Sequence, residues 1–197
     1  MSLSAARRIS RQTGLAVREA RVVGSQHGYQ HLIIALRGGQ RAFAKVAALP
    51  DPGGTTLLAW PPAAAGPNPS GEQEAIPAEM GAAFAAEANG LRWLGEADAV
   101  PVPEVLAVTE TALVISMIPP GHPTPSAAFG FGAGLARLHA AGAADFGAPW
   151  RGFIASLPLD NMPGETGWPH WYARRRLLPY LKMAVDAGAL RPEDGRL

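Results

Sequence analysis

Two ionisable residues stand in apolar settings in this chain, and their types and order can do chemistry. Lys45 lies in Arg41-Ala42-Phe43-Ala44-Lys45-Val46, a short apolar run that reads as a β-strand. It is one of only two lysines among 197 residues; the remaining fixed cations are arginines. Strand side chains alternate faces, so Phe43, Lys45 and Ala47 share one face and Ala42, Ala44 and Val46 the other. Neither face is polar, and a buried ammonium is costly unless it is paired. The expected partner is Glu87. From Met80 the apolar residues Met80, Phe84, Leu91 and Leu94 keep returning to one helical face, and Glu87 falls in the middle of that stripe. Breaking such a pair, if buried, is expected to cost about 3–5 kcal/mol. Taken alone, each residue has a plainer reading: a lysine snorkelling at a strand edge, a glutamate at a stripe's margin. Taken together in this order, a strand lysine followed by a helix glutamate favours the reading of a pair that holds nucleotide phosphates over the plainer ones.

The elements that must position this pair are legible on either side of it. Arg18 to Leu36 reads as two strands about the glycine-containing turn Gly24-Ser25-Gln26-His27-Gly28-Tyr29, and Gly38-Gly39 turns the chain tightly into the Lys45 strand. Two glycines in a turn are usually just a turn, and this is not G-x-G-x-x-G; because the turn precedes the Lys45 strand, its backbone N–H groups around Gly24, Ser25 and Gly28 are candidates to lie over phosphates. Glu79 to Glu96 is the helix that carries Glu87. Glu104 to Val108 and Ala112 to Ile118 read as two further strands, the second so apolar that both its faces should be buried. Pro119-Pro120-Gly121-His122-Pro123 then stops the chain abruptly. The expected fold class is therefore α+β: a five-stranded antiparallel small lobe with one helix over residues 1–120, followed by helices over 121–197.

Composition narrows the classes. Hydrophobic content of 48% supports a core, and a net charge of +1 gives no strong field for nucleic acid or an anionic membrane. There is no cysteine, which excludes a disulfide scaffold, a thiolate metal site and a cysteine nucleophile. No run approaches the length of a membrane span. The arginine-bearing opening, Ser4 to Gly14, has the composition of a transit peptide but reads better as an amphipathic helix capped by Ser4, with Leu3 and Ile9 inward. On that basis the protein is expected in the cytoplasm.

Nineteen prolines and 23 glycines imply many breaks. They concentrate at Leu49 to Ile76, which reads as a long Pro/Gly-rich loop inserted between the Lys45 strand and the Glu87 helix. After the proline stop, Phe131, Leu135 and Leu138 mark a helix from about Ala127 to Ala141, with His139 at the stripe's edge. Trp168 to Gly188 is helical again, expected to kink or divide at Pro179 for want of an N–H to reach Arg175. Arg174-Arg175-Arg176 is by default a solvated or carboxylate-paired cluster, with contact to an anionic substrate group as the alternative. Asp145-Phe146-Gly147 spells a magnesium-binding tripeptide, but the catalytic loop that should precede it is absent, so a metal role is not expected.

The joint order of these segments is specific. Ala-Phe-Ala-Lys45-Val is followed by Phe84-Ala-Ala-Glu87-Ala-Asn-Gly90-Leu91, then Val102-Pro103-Glu104-Val105-Leu106 and Leu113-Val114-Ile115-Ser116-Met117-Ile118-Pro-Pro-Gly121. Later come Gly134-Leu135-Ala136-Arg-Leu138-His139, Phe153-Ile154-Ala-Ser156-Leu-Pro158-Leu-Asp-Asn161 and Arg176-Leu177-Leu178-Pro179. In this order the chain resembles the fructosamine (ketosamine) kinase family, whose protein-kinase-like fold is that of aminoglycoside phosphotransferases.

The resemblance implies ATP-dependent phosphorylation of a sugar hydroxyl on a ketosamine, free or protein-bound, with ATP and Mg²⁺ as cofactors and deglycation as the result. Residue by residue it implies that Lys45 holds the phosphates, Glu87 orients Lys45, and Gly24, Ser25 and Gly28 cover them. Ser116, Met117 and Ile118 would be the hinge that meets adenine, and Trp168, Trp171 and Arg176 part of a substrate wall. Four departures stand out. Gln26 and His27 replace the family's Ile and Asn, Leu159 replaces its Gln, and Lys45 and Glu87 are 42 residues apart, farther than usual. The family's His-Gly-Asp loop, with the base aspartate and metal ligands, is not reached by Leu197. No catalytic or metal-ligating residue is therefore expected in this stretch, which alone should not turn over. Alternatives are a non-catalytic nucleotide-binding module and an aminoglycoside- or choline-type phosphotransferase. Apolar faces on the 127–141 and 168–188 helices would favour self-association.

Overall fold

The computed structural model describes residues 3–26, 28–47, 78–154, 157–164, 167–191 and 193. The chain divides into two compact units, Met1–Ala141 and Gly142–Leu197. The expected loop at 49–76 lies outside the described residues.

In the first unit β1 (Val17–Gln26), β2 (Tyr29–Leu36), β3 (Arg41–Ala47), β4 (Val105–Val108) and β5 (Ala112–Ser116) form one sheet in the order β1-β2-β3-β5-β4. Every neighbouring pair is antiparallel, as the alternating strands and tight turns predicted. Strand alternation gives the sheet two different faces. One carries Leu32, Ile34, Ala42, Ala44, Val46, Ala112 and Val114, all essentially without solvent contact, and is capped by Ala6 and Ile9 of α1 (Leu3–Thr13). The other carries Leu113, packed against Phe84 and Ala88 of α2 (Ala78–Glu96). β5 is thus buried on both faces, which is why its sequence shows no polar alternation.

Three expectations about facing are corrected. Leu3 is 71% exposed, because α1 uses the small Ala6 beside Ile9 to approach the sheet closely; Ser4 lies inside the helix rather than capping it. Leu94 is exposed, as is its neighbour Trp93. On α3 (Pro125–Ala141) Phe131 is 60% exposed, while Gly134 is buried against the Ala99 carbonyl and the Val100 side chain.

The second unit holds a hairpin of β6 (Gly152–Ile154) and β7 (Leu157–Leu159), which the sequence did not suggest, and a broken helix. α4 (Trp168–Tyr172) passes into a π-helical stretch, Ala173–Leu177, and then α5 (Leu178–Asp186). The expected division at Pro179 takes this form: its missing N–H and bulky ring are incompatible with a normal turn. The turn widens, and the Leu178 N–H donates to the Ala173 carbonyl. No described helix is long and apolar enough to cross a membrane.

Candidate functional site

Lys45 and Glu87 meet. Lys45 Nζ donates to Glu87 Oε2 at 2.5 Å, across 42 residues of chain. Lys45 is placed by the centre of the sheet, between His31 on β2 and Leu113 on β5. Glu87 is placed by the packing of its helix: Phe84 and Ala88, on either side of it, are the residues α2 buries against the sheet. The pair is not buried as expected. Its side chains are 27% and 38% exposed, because Glu87 lies at the rim of the contact that Phe84 and Ala88 centre. An ion pair so open to water is worth about 1 kcal/mol or less. Its stability contribution alone is therefore small for a cation set into an apolar strand.

The glycine turn is shorter than its sequence suggested. Gly24 and Ser25 remain in the ladder, opposite His31 and Gln30, and pairing continues to Gln26 opposite Tyr29. Gly28 forms the tip with φ +77, a conformation that L side chains rarely adopt. A Cβ there would lie 3.2 Å from Met80 Cε of α2. Ser25 Oγ donates to the Tyr29 carbonyl at 3.1 Å.

Two residues on this face escaped the sequence reading. His31 pairs directly with Lys45 and therefore shares its face; its ring lies 5.6 Å from that of Phe43. Tyr29 follows the tip and sets its ring 5.1 Å from Phe84, tilted by 54°. The signal for both was the strand register: counting back from Lys45 across the Gly38-Gly39 turn brings His31 opposite, and Tyr29 two positions on.

The Tyr29 phenol is held above its ordinary value of about 10, first by burial and second by the negative charge of Glu87. A raised phenol pKa has no effect on stability while folded and unfolded chains both keep the proton. Above about pH 10 the unfolded chain releases it first, so stability falls as pH rises. Tyr29→Phe is expected to remove that share: its urea midpoint should drop less than the wild-type midpoint between about pH 8 and about pH 11. Equal drops would mean the phenol is free to ionise in the folded chain.

At the end of β5 the hinge candidates are partly committed. The Ser116 N–H donates to the Glu104 carbonyl at 2.8 Å, and the Met117 N–H to the Arg41 carbonyl at 3.3 Å. Ser116 Oγ accepts from the Glu104 N–H at 2.8 Å. Ile118, half exposed, makes no backbone donor bond to another described residue.

The remaining candidates belong to the second unit. Trp171 is a core residue, 7% exposed, with its Nε1–H donating to the Met162 carbonyl at 3.1 Å. Trp168 is half exposed and stacked on Tyr172 at 4.8 Å. The Arg176 guanidinium lies 4.4 Å from the centre of a Trp171 ring and donates to the Asp160 carbonyl at 2.6 Å and to Asn161 Oδ1. Arg175 pairs with the Asp160 carboxylate. This part of the arginine cluster thus takes its default form, tying down the 160–161 segment.

Asp145 is exposed, and among the described residues no three His, Asp or Glu side chains converge on a point. A separate groove of about 300 Å³ runs between the last turns of α2 and β4, lined by Leu91, Arg92, Gly95, Val102, Pro103, Glu104 and Val105, with neither Lys45 nor Glu87 in its walls.

The sequence profile of one family, described as fructosamine kinase, matches residues 74–195. A Thermobifida fusca protein of known crystal structure, assigned by inference as a fructosamine-3-kinase, is 36% identical over 100% of this chain and 59% of its own, with a TM-score of 0.75. A Haemophilus somnus protein with the same inferred assignment shares the fold at 17% identity and a TM-score of 0.64, over 93% of this chain and 54% of its own. The chain thus spans somewhat more than half the length of these two proteins. No curated protein matches it.

Proposed function

Given that the chain belongs to the fructosamine kinase family, we propose that it is the nucleotide-holding part of an ATP-dependent kinase acting on ketosamines. The observation that carries this is the 2.5 Å contact between Lys45 and Glu87. A partly exposed ammonium on the strand beside the hairpin that ends in a glycine tip, pinned by a helix carboxylate, is suited to the phosphates of ATP. In this proposal Lys45 holds the α- and β-phosphates, Glu87 keeps its ammonium in place, and Gly24, Ser25 and Gly28 lie above them. Adenine is met at the end of β5, where the Ile118 N–H is the donor left after Ser116 and Met117 have used theirs.

The transfer forms a bond from the sugar hydroxyl oxygen to the γ-phosphorus and breaks both the hydroxyl O–H bond and the bond from that phosphorus to the β–γ bridging oxygen, releasing ADP and, to solvent, one proton. Mg²⁺ neutralises phosphate charge in such reactions. What the described residues contribute is binding and orientation of the nucleotide. In the second unit, exposed Trp168 on its Tyr172 stack offers an apolar platform for the substrate, whereas Trp171 and Arg176 shape the wall behind it.

The test is a substrate panel on the whole protein with Mg-ATP, reading ADP release and sugar phosphate by mass. Fructosamine- or ribulosamine-modified lysine is expected to be phosphorylated. Turnover of an aminoglycoside or choline in its place would move the assignment to a related phosphotransferase. ATP binding with no turnover of any of these would make it a non-catalytic nucleotide-binding module.

A further inference from the structure

The tip of the β1–β2 hairpin is held from both sides of the sheet. Because successive strand residues point to opposite faces, Tyr29 and Gln30 reach different helices. Tyr29 packs its ring on Phe84 of α2, and Met80 of the same helix lies beneath Gly28. On the other face, Arg8 of α1 donates from Nη2 to Gln30 Oε1 at 2.8 Å. Phe84 is almost fully buried, so this contact joins the centre of the α2 interface and is not a loose touch at its rim. Glu87 lies less than one helical turn beyond Phe84 on α2. Elsewhere α2 packs along β4 and β5, on the far side of the sheet from β1.

We propose that Tyr29 is a positioning residue that couples the phosphate-covering hairpin to α2, and through α2 sets Glu87 against Lys45. This rests on the kinase reading for its consequence, although the mechanical link stands on the packing alone. The ring of Tyr29 bridges the part of the site that lies over the phosphates and the helix that supplies the carboxylate. A nucleotide that settles the hairpin then also settles Glu87, and by thermodynamic reciprocity a fixed Glu87 favours the nucleotide. Burial and the Glu87 charge both bear on the Tyr29 phenol, in keeping with a ring wedged beside that carboxylate. Tyr29 need not touch the nucleotide; its effect passes through Glu87.

The experiment has two readouts on the same chain. The first is affinity for ATP by calorimetry in a double-mutant cycle of Tyr29→Ala and Glu87→Gln. Tyr29→Ala is expected to weaken binding roughly tenfold, within the range usual for coupled sites, and to add little once Glu87→Gln is present. Tyr29→Phe, which keeps the ring on Phe84, should recover most of the loss. A full tenfold loss in both backgrounds, or a Phe variant as weak as Ala, would overturn the proposal. Tyr29→Leu replaces Ala in the cycle if the latter fails to fold.

The second readout is hydrogen exchange without nucleotide. Tyr29→Ala should speed exchange of α2 amides between Met80 and Glu87 while leaving those of β4 unchanged, and unaltered α2 protection would refute the link. If the wild-type chain binds no ATP, the kinase reading is what fails, and exchange alone decides whether Tyr29 positions α2.

Discussion

Lys45→Met is expected to weaken ATP binding by about 10- to 100-fold while moving the melting temperature by only a few degrees. The two halves follow from different physics. A charge-assisted hydrogen bond to a phosphate contributes about 1.5–3 kcal/mol, and methionine supplies no donor. The ion pair contributes little to folding, because both partners are part exposed and Glu87 keeps its access to water when Lys45 is gone. Methionine matches the length of the lysine stem, so packing beside Leu113 and His31 is largely retained. About 1 kcal/mol corresponds to roughly 2–4 °C in a domain of this size. Calorimetric titration with ATP and a thermal melt check the two halves separately. Unchanged affinity would remove Lys45 from the phosphate site. A collapse in melting temperature would show that the pair holds the sheet to α2 and that its chemistry is structural.

Gly147→Ala should be far more damaging to the fold than any change to Asp145. Gly147 has φ +94, and an added Cβ would overlap the Asn161 carbonyl oxygen and stand 2.9 Å from Trp171 Cζ2. Neither neighbour can retreat. The Asn161 carbonyl accepts the Ala148 N–H at 2.7 Å, and the flanking Asp160 and the Asn161 side chain are gripped by Arg176. Trp171 is pinned by its own hydrogen bond and by that guanidinium. Backbone strain and overpacking at one site sum to about 3–5 kcal/mol, enough to unfold the second unit. Asp145→Ala, on an exposed side chain, should stay within about 0.5 kcal/mol. Urea unfolding followed by tryptophan fluorescence, with limited proteolysis of the second unit, reads both. The contrast bears on chemistry as well as stability: it assigns Asp-Phe-Gly here to a close chain crossing, with Phe146 set against Trp171. A variant of Asp145 that lowers ATP affinity while Gly147→Ala folds normally would reverse that assignment.

The strand that carries Lys45, the helix that carries Glu87 and their order were legible because they rest on local periodicity. Two-residue alternation and a stripe returning every three to four residues are properties of the segment itself, and α2 ends at Glu96, where the sequence predicted. The break at Pro179 was legible for the same reason, since a missing N–H is a property of one residue. What periodicity cannot say is how far an element extends beyond its partner. Leu3, Leu94 and Phe131 sit on the stripes yet face water, and the Lys45–Glu87 pair is half open rather than enclosed. Those outcomes depend on where α1, α2 and α3 end relative to what they pack on. Tyr29 and His31 entered the site only through cross-strand register and helix placement. The chain's own pattern therefore determined which residues could meet. Only packing between elements distant in sequence decided how deeply the ion pair sits and which neighbours hold it, because burial is a property of two surfaces and each segment encodes only one.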